Sequence, residues 1–476
     1  MISIGNLQIN KLYLGDVEVT KAYLGDVEVY NSTPPAPPEP EGKYMTITAL
    51  DGTEGTTIAP TLNGNFSTNP NLQYRVNNGE WSDFVFGTTP AIHLVSGYFV
   101  QWKGLNTNGI SISDGKYMNF SISGNPVHLS GNVMSLIDGV GETLVVPCDF
   151  CFWKLFSTSN VKTVSQDFLP ATTLSYYCYF GMFEGCTALT TAPALPATTI
   201  VKSCYSTMFN GCTALTTAPE LPGTTLENWS YSNMFQGCTS LTTAPALHAT
   251  TLAQECCRSM FQGCTALTTA PALPATTLAN LCYSNMFQGC TSLTTAPALP
   301  ATTLKGSCYQ SMFQGCTALT TAPSLPATTL ASRCYYGMFQ GCTSLTTAPT
   351  LNATTLKDGC YTSMFQGCTA LTTAPALPST TISTRCYYSM FQGCTSLVKA
   401  PELPATTLLN YCYYTMFKGC QNLNYVKCRA TNISASSPLY NWLDGVASKG
   451  TFVKRSSVSY ETGPSGIPEG WTISNI

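Results

Sequence analysis

Between residues 178 and 420 the apolar positions return in a fixed phase. The pentad Met-Phe-x-Gly-Cys recurs ten times, its cysteine at 186, 212, 238, 264, 290, 316, 342, 368, 394 and 420, always 26 residues apart. A second cysteine stands eight residues earlier in every copy but one, where Ser230 takes its place. Within the first copy Cys178, Met182 and Cys186 fall at i, i+4 and i+8, with Tyr179 and Phe183 as a second i, i+4 pair. That stripe predicts a short amphipathic helix closed by Gly185 as a left-handed C-terminal residue. Thr187 to Ala192 is rich in β-branched residues and predicts a short strand ended by Pro193, with Leu189 inward. Leu195 and Ile200 follow on an extended return limb.

One such unit buries about six apolar side chains, roughly 10 to 18 kcal/mol, whereas ordering 26 residues costs about 40 kcal/mol. A single copy cannot fold alone. Stacked copies share faces, so the period predicts a capped solenoid. The residue before the repeat leucine alternates between Ala and Ser from Ala214 to Ser396, which points to growth by duplication of two-repeat blocks.

The Phe-x-Gly-Cys-x-x-Leu core at this period resembles the BspA-like class of leucine-rich repeats, found in bacterial surface proteins and in viruses of gut Bacteroidales. The resemblance implies a right-handed solenoid used for adhesion and recognition.

Outside the repeats the pattern changes. Leu12-Tyr-Leu-Gly-Asp-Val-Glu-Val19 and Tyr23-Leu-Gly-Asp-Val-Glu-Val29 alternate apolar residues around Gly-Asp, a two-residue hairpin signal. Residues 32–42 are a proline-rich spacer. Residues 43–130 read as a β-domain, with Asn78-Gly79 as a type I′ signal and alternating runs at 91–104 and 110–123; an immunoglobulin-like sandwich is expected. Residues 131–177 are expected as the N-terminal cap of the solenoid and 421–476 as its C-terminal cap. The predicted fold class is thus multidomain: a β-rich hairpin and Ig-like sandwich, then an α/β leucine-rich-repeat solenoid of ten repeats. The hairpin segment also resembles the start of structural proteins of Bacteroidales tailed phages. That resemblance implies attachment to virion proteins through residues 1–31, here Leu12, Leu14, Val17, Val19, Leu24, Val27 and Val29, and fits a homotrimer, the common assembly of phage fibres.

Composition narrows the function. Only 9% of residues are charged and the net charge is -3, which offers no basic field for nucleic acid. No stretch approaches the ~20 apolar residues of a membrane span, so no membrane insertion is expected. The first residues lack a basic n-region and a signal-length apolar run. The expectation is synthesis in a host cytoplasm and residence on a virion surface, with a bacterial surface adhesin as the alternative.

The 23 cysteines invite metal or disulfide readings, but two columns at equal spacing pair no residue uniquely. Reduced core thiols are the expectation; scattered disulfides and metal stay open beside it. Cys148 and Cys151 have CxxC spacing without a second pair or a nearby His cluster. His93, His128 and His248 are far apart, carboxylates are sparse, and no nucleophile elbow, phosphate loop or dinucleotide fingerprint is present. A non-enzymatic protein without cofactor or metal is expected.

What differs between copies lies beside the first cysteine. Tyr176, Tyr177, Trp229, Arg258, Gln310, Arg333, Tyr336, Arg385, Tyr388, Tyr411 and Tyr414 occupy these variable positions. They are expected at the start or outward side of the repeat helix. Exposed aromatics are costly unless they stack on a partner, so this face is the candidate site for a host-surface glycan or protein. Free drift of unconstrained exposed positions is the competing explanation. The Tyr179 column, spaced to Phe183, is expected to pack.

Overall fold

The computed structural model describes residues 42–52 and 54–476, and the backbone of six short strands between Ile2 and Asn31. Those six pair as three antiparallel hairpins: Ile2–Ile4 with Leu7–Ile9, Leu12–Leu14 with Val17–Val19, and Lys21–Leu24 with Val27–Asn31. The register places Leu14 opposite Val17 and Leu24 opposite Val27. The side chains expected to anchor, and the proline-rich spacer as far as residue 41, lie outside the described residues.

From Met45 the chain builds two sheets. Ser82–Asp83, Gln73–Val76, Phe99–Lys103, Met45–Ala49, Val127–Ser130 and Val161–Val164 are neighbours in that order in one; Ile92–Leu94, Thr56–Asn63 and Tyr117–Gly124 form the other. The expected tight turn falls one residue earlier than the Asn-Gly signal placed it. Asn77 and Asn78 both have positive φ, 49° and 59°, and the Gly79 amide donates to the Val76 carbonyl at 2.9 Å. Trp102 of the first sheet meets Phe120 of the second edge to face at 5.0 Å, closing an apolar interior between them.

That interior does not stop at the repeats. Val127–Ser130 pairs in parallel with Val161–Val164, and Thr163 bridges onward to Thr191. Phe120 also stacks on Phe156 at 5.6 Å, and Phe156 on Phe183 at 5.8 Å. Residues 148–158 are already a coil in register with the repeats: the amides of Phe152, Lys154, Phe156 and Thr158 donate to the carbonyls of Cys178, Phe180, Met182 and Glu184.

Within the repeats the structure corrects the α/β expectation. Among the described residues the one helix is Ser135–Asp138, before the first coil. The segment expected as a helix is a ribbon of overlapping turns. In one copy the amides of Ser284, Met286, Gln288 and Cys290 each donate three residues back, to Leu281, Tyr283, Asn285 and Phe287. The amides between them, of Tyr283, Asn285, Phe287 and Gly289, donate to Cys308, Gln310, Met312 and Gln314 of the next coil, at 2.8 to 3.0 Å. Every donor is used, half within the coil and half between coils, which is what a buried backbone requires. Leu281, Asn285 and Gly289 all have positive φ, 58°, 59° and 73°. A left-handed residue every fourth position cannot occur in an α-helix. The expected strand is also reduced: successive coils meet there through single parallel bridges, Thr191 to Thr217 to Thr243 and on to Thr373.

The four-residue period still sorts the side chains as anticipated. Cys282, Tyr283, Met286, Phe287, Cys290 and Leu293 are buried, and their equivalents repeat along the stack. Phenylalanines from Phe183 to Phe417 form one column of parallel rings 5.6 to 5.7 Å apart. The tyrosine column packs beside it, as expected, with spacings of 5.9 to 6.2 Å. Gln236 begins a ladder of side-chain amides that reaches Gln392, each link 2.9 to 3.3 Å. Beyond the tenth repeat Trp442 continues the tyrosine column at 6.3 Å, and the parallel strands Tyr425–Lys427, Thr451–Lys454 and Thr472–Asn475 close that end.

Cys257 interrupts the tyrosine column and leaves a small cavity between Tyr231 and Tyr283. Cys257→Tyr is expected to stabilise the stack by about 1 kcal/mol, as cavity-filling changes do. An upward shift of the urea midpoint checks this.

Candidate functional site

The turn ribbon contains three left-handed columns, and their residues differ in kind. The last, Gly185 through Gly419, is glycine in every repeat with φ of 72° to 75°; a Cβ would meet the neighbouring Cα only in ordinary contact at 3.7 to 3.8 Å, so the left-handed backbone is what favours glycine. The middle column, at 181 and every 26 residues after, holds Gly, Thr, Asn or Ser. The first, immediately before the first cysteine, holds Tyr177, Ser203, Trp229, Glu255, Leu281, Ser307, Arg333, Gly359, Arg385 and Tyr411, with φ between 53° and 59°. A bulky side chain in this conformation costs about 1 to 2 kcal/mol relative to the right-handed alternative. Glycine, which avoids that cost, is used once in ten copies.

In this column and at the residue three positions later the large side chains, Tyr177, Trp229, Arg258, Gln310, Arg333, Tyr336, Arg385, Tyr388, Tyr411 and Tyr414, are exposed or partly exposed, whereas Ser203, Ser206, Ser232, Glu255, Ser284 and Thr362 are buried; the variable positions thus share one edge, now the edge of a turn ribbon. They gather in groups. Near the entry, Tyr177 stacks on Phe150 at 4.7 Å, Trp153 on Phe180 at 3.9 Å, and the Lys202 ammonium lies 5.6 Å from the Tyr177 ring and 5.4 Å from the Trp229 ring. Tyr176 stands beside them, 44% exposed. Arg258 is held by Glu255 at 2.8 Å. Burial opposes ionisation of Glu255, but hydrogen bonds from Arg258, Gln254 and Trp229 hold its carboxyl below the usual range.

Toward the other end Gln310, Arg333, Tyr336, Arg385 and Tyr388 line one open concavity of about 480 Å³. Beyond it Tyr388, Tyr414 and Tyr440 stack at 4.7 and 4.8 Å, with Arg385 5.2 Å from the Tyr411 ring. Sequence reading missed Phe150, Trp153, Lys202, Glu255, Asp358, Gly359, Thr362 and Tyr440. Most of these lie in the same columns, but in coils set aside as caps or as unremarkable copies.

The cysteines lie elsewhere. All but Cys148, which is half-buried, are buried, and none is paired. The second-column thiols donate to the phenylalanine carbonyl of the preceding coil, Cys186 to Phe156 at 3.1 Å and Cys420 to Phe391 at 3.0 Å. Burial pushes both thiols up to about 12. At Cys148 a hydrogen bond with Cys151 holds the thiol below its ordinary value, while burial raises Cys151. A thiol-exchange reagent at neutral pH is therefore expected to titrate about one cysteine rapidly, Cys148, and all 23 after denaturation. Rapid native titration of several would contradict the packing. Among the described residues no cluster of three or more His, Cys, Asp or Glu is placed to hold a metal. His248 and His93 are exposed, and His128 contacts Thr163 and Ser165 of the first coil.

A stack of 26-residue coils with an inward leucine, an aromatic column and a divergent outer edge defines a leucine-rich-repeat protein. The BspA type leucine rich repeat region matches in three overlapping stretches, 156–294, 231–372 and 310–441, which together span more than half of the chain. The chain belongs to that family. No curated protein and no solved structure matches it.

Proposed function

We propose that this is a non-enzymatic recognition protein of a phage virion, a fibre or decoration protein that presents the outer edge of its turn ribbon to a host-surface glycan or protein. On this reading the repeats are a leucine-rich-repeat solenoid behind an Ig-like sandwich, and the three hairpins attach it to virion proteins. One observation carries the recognition role: nine of ten repeats place a side chain other than glycine in a left-handed position, and several of these side chains are aromatic or cationic. Strain kept where glycine would relieve it points to use of the side chain. Drift without constraint would tend toward residues that tolerate the conformation.

The hairpin segment and its resemblance to virion structural proteins support the particle. Membership of the BspA-type family supports a second reading, a bacterial surface adhesin. Immunogold electron microscopy of purified phage particles separates them. Label on the particle is expected; label on intact uninfected cells, with none on particles, would overturn the virion reading in favour of the adhesin.

A further inference from the structure

The concavity between Tyr336 and Tyr388 is one coil wide, and it exists because a single coil carries small residues. In the column of Arg333 and Arg385 the intervening residue is Gly359; in the column of Tyr336 and Tyr388 it is Thr362. Tyr388 and Tyr414, one coil apart, stack at 4.7 Å. Two coils therefore set the walls about 9 to 10 Å apart, the space of one missing member of a ring ladder.

The surroundings of that space are polar. Asp358 and Gln310 stand at its rim, and Thr362 at its floor donates through Oγ1 to the Arg385 carbonyl at 2.7 Å. Among the described residues neither Arg333 nor Arg385 forms an ion pair with a carboxylate. Hydroxyl and amide groups around the edge suit a ring that carries hydroxyls, and two guanidinium groups against the single Asp358 carboxylate leave an excess of positive charge that suits a carboxylate, which arginine binds in forked geometry.

We propose that this slot binds a carboxylated pyranose of a surface glycan, its ring held between Tyr336 and Tyr388 and its carboxylate met by Arg333 and Arg385. The proposal rests on the reading of the turn edge as a recognition face and assigns that face a ligand class. Uronic and sialic acids share the chemistry.

The test is calorimetric titration of the full chain with a hyaluronan hexasaccharide, with sialyllactose and with neutral lactose. Binding of either acidic probe, weakened at high salt, with lactose at least tenfold weaker, is expected, and which acidic probe binds names the source. Thr362→Tyr fills the slot with the residue that both neighbouring coils already carry, and is expected to reduce binding at least tenfold. Gly359→Tyr, matching Tyr411 in the same column and conformation, is a second filling variant should the first fail to fold. Arg333→Gln with Arg385→Gln is expected to abolish the preference for the acidic probes. No binding of either acidic probe at millimolar concentration, equal binding of lactose, or binding that survives both filling variants would overturn the proposal. Loss of host-surface attachment on changing Trp229 but not on filling the slot would overturn the slot and leave the recognition face standing.

Discussion

Between about pH 9 and 12 the protein is expected to unfold in a steep cooperative transition. Burial is the leading cause that raises the thiols of Cys178, Cys186, Cys264, Cys308, Cys342, Cys360, Cys412 and Cys420 from 9.0 to about 12. Because the folded values lie above the unfolded ones, the stabilisation is complete below pH 9. It is lost as pH rises toward 12, where the unfolded chain releases protons that the folded chain retains. Each such thiol contributes a slope of about 1.4 kcal/mol per pH unit. Eight together would exhaust a typical stability of about 5 to 15 kcal/mol within two units above pH 9. The buried tyrosines, raised by burial as well, act in the same direction. Circular dichroism followed from pH 7 to 12 checks this. An unchanged spectrum at pH 12 would show that these thiols are not enclosed in the folded state.

Phe287→Ala is expected to cost roughly 3 to 5 kcal/mol, the range for removing a buried phenylalanine. Phe287 is fully buried and stacks at 5.7 Å on both Phe261 and Phe313. The void would sit mid-array, where stability is shared between neighbouring coils, so the transition should broaden as well as shift. Thr295→Ala, on an exposed position, is the control and should change stability by less than about 0.5 kcal/mol. Urea denaturation monitored by tryptophan fluorescence measures both. A shift for Phe287→Ala no larger than the control's would contradict the continuous column.

Much of this architecture was legible because a 26-residue period fixes which residues stack, whatever the local backbone. Leu189, Cys186 and Phe183 were assigned inward correctly on that ground, and the tyrosine column was rightly read as packing. The helix was not. A face repeating every four residues fits both an α-helix and a ribbon of turns. The signs against the helix lay in residue types: Asn233 and Asn285 stand four positions before an unvarying glycine, two left-handed signals one turn apart. The strand expectation failed for a related reason: Pro193 and its equivalents follow so closely on the β-branched pair that this segment of each coil forms a single bridge to the next.

At the candidate site the variable edge was visible in the sequence, but the slot was not. Gly359 and Thr362 are unremarkable in their own copy. They become a feature only when the coils on either side set Arg333 and Tyr336 against Arg385 and Tyr388. The entry group depends likewise on Phe150 and Trp153, in a coil whose sequence departs too far from the repeat to be aligned with it by eye.

Attachment of the full chain to intact Bacteroidales cells, compared with a Trp229→Ser, Tyr336→Ser, Tyr388→Ser triple variant, tests the central claim most directly. Serine already occupies the strained column at Ser203 and Ser307, and the column of Tyr336 and Tyr388 at Ser206, Ser232 and Ser284, so the variant should melt as the parent does. A loss of attachment of at least tenfold is predicted. Undiminished attachment by a folded variant would contradict the claim that the outer edge of the turn ribbon is the recognition surface.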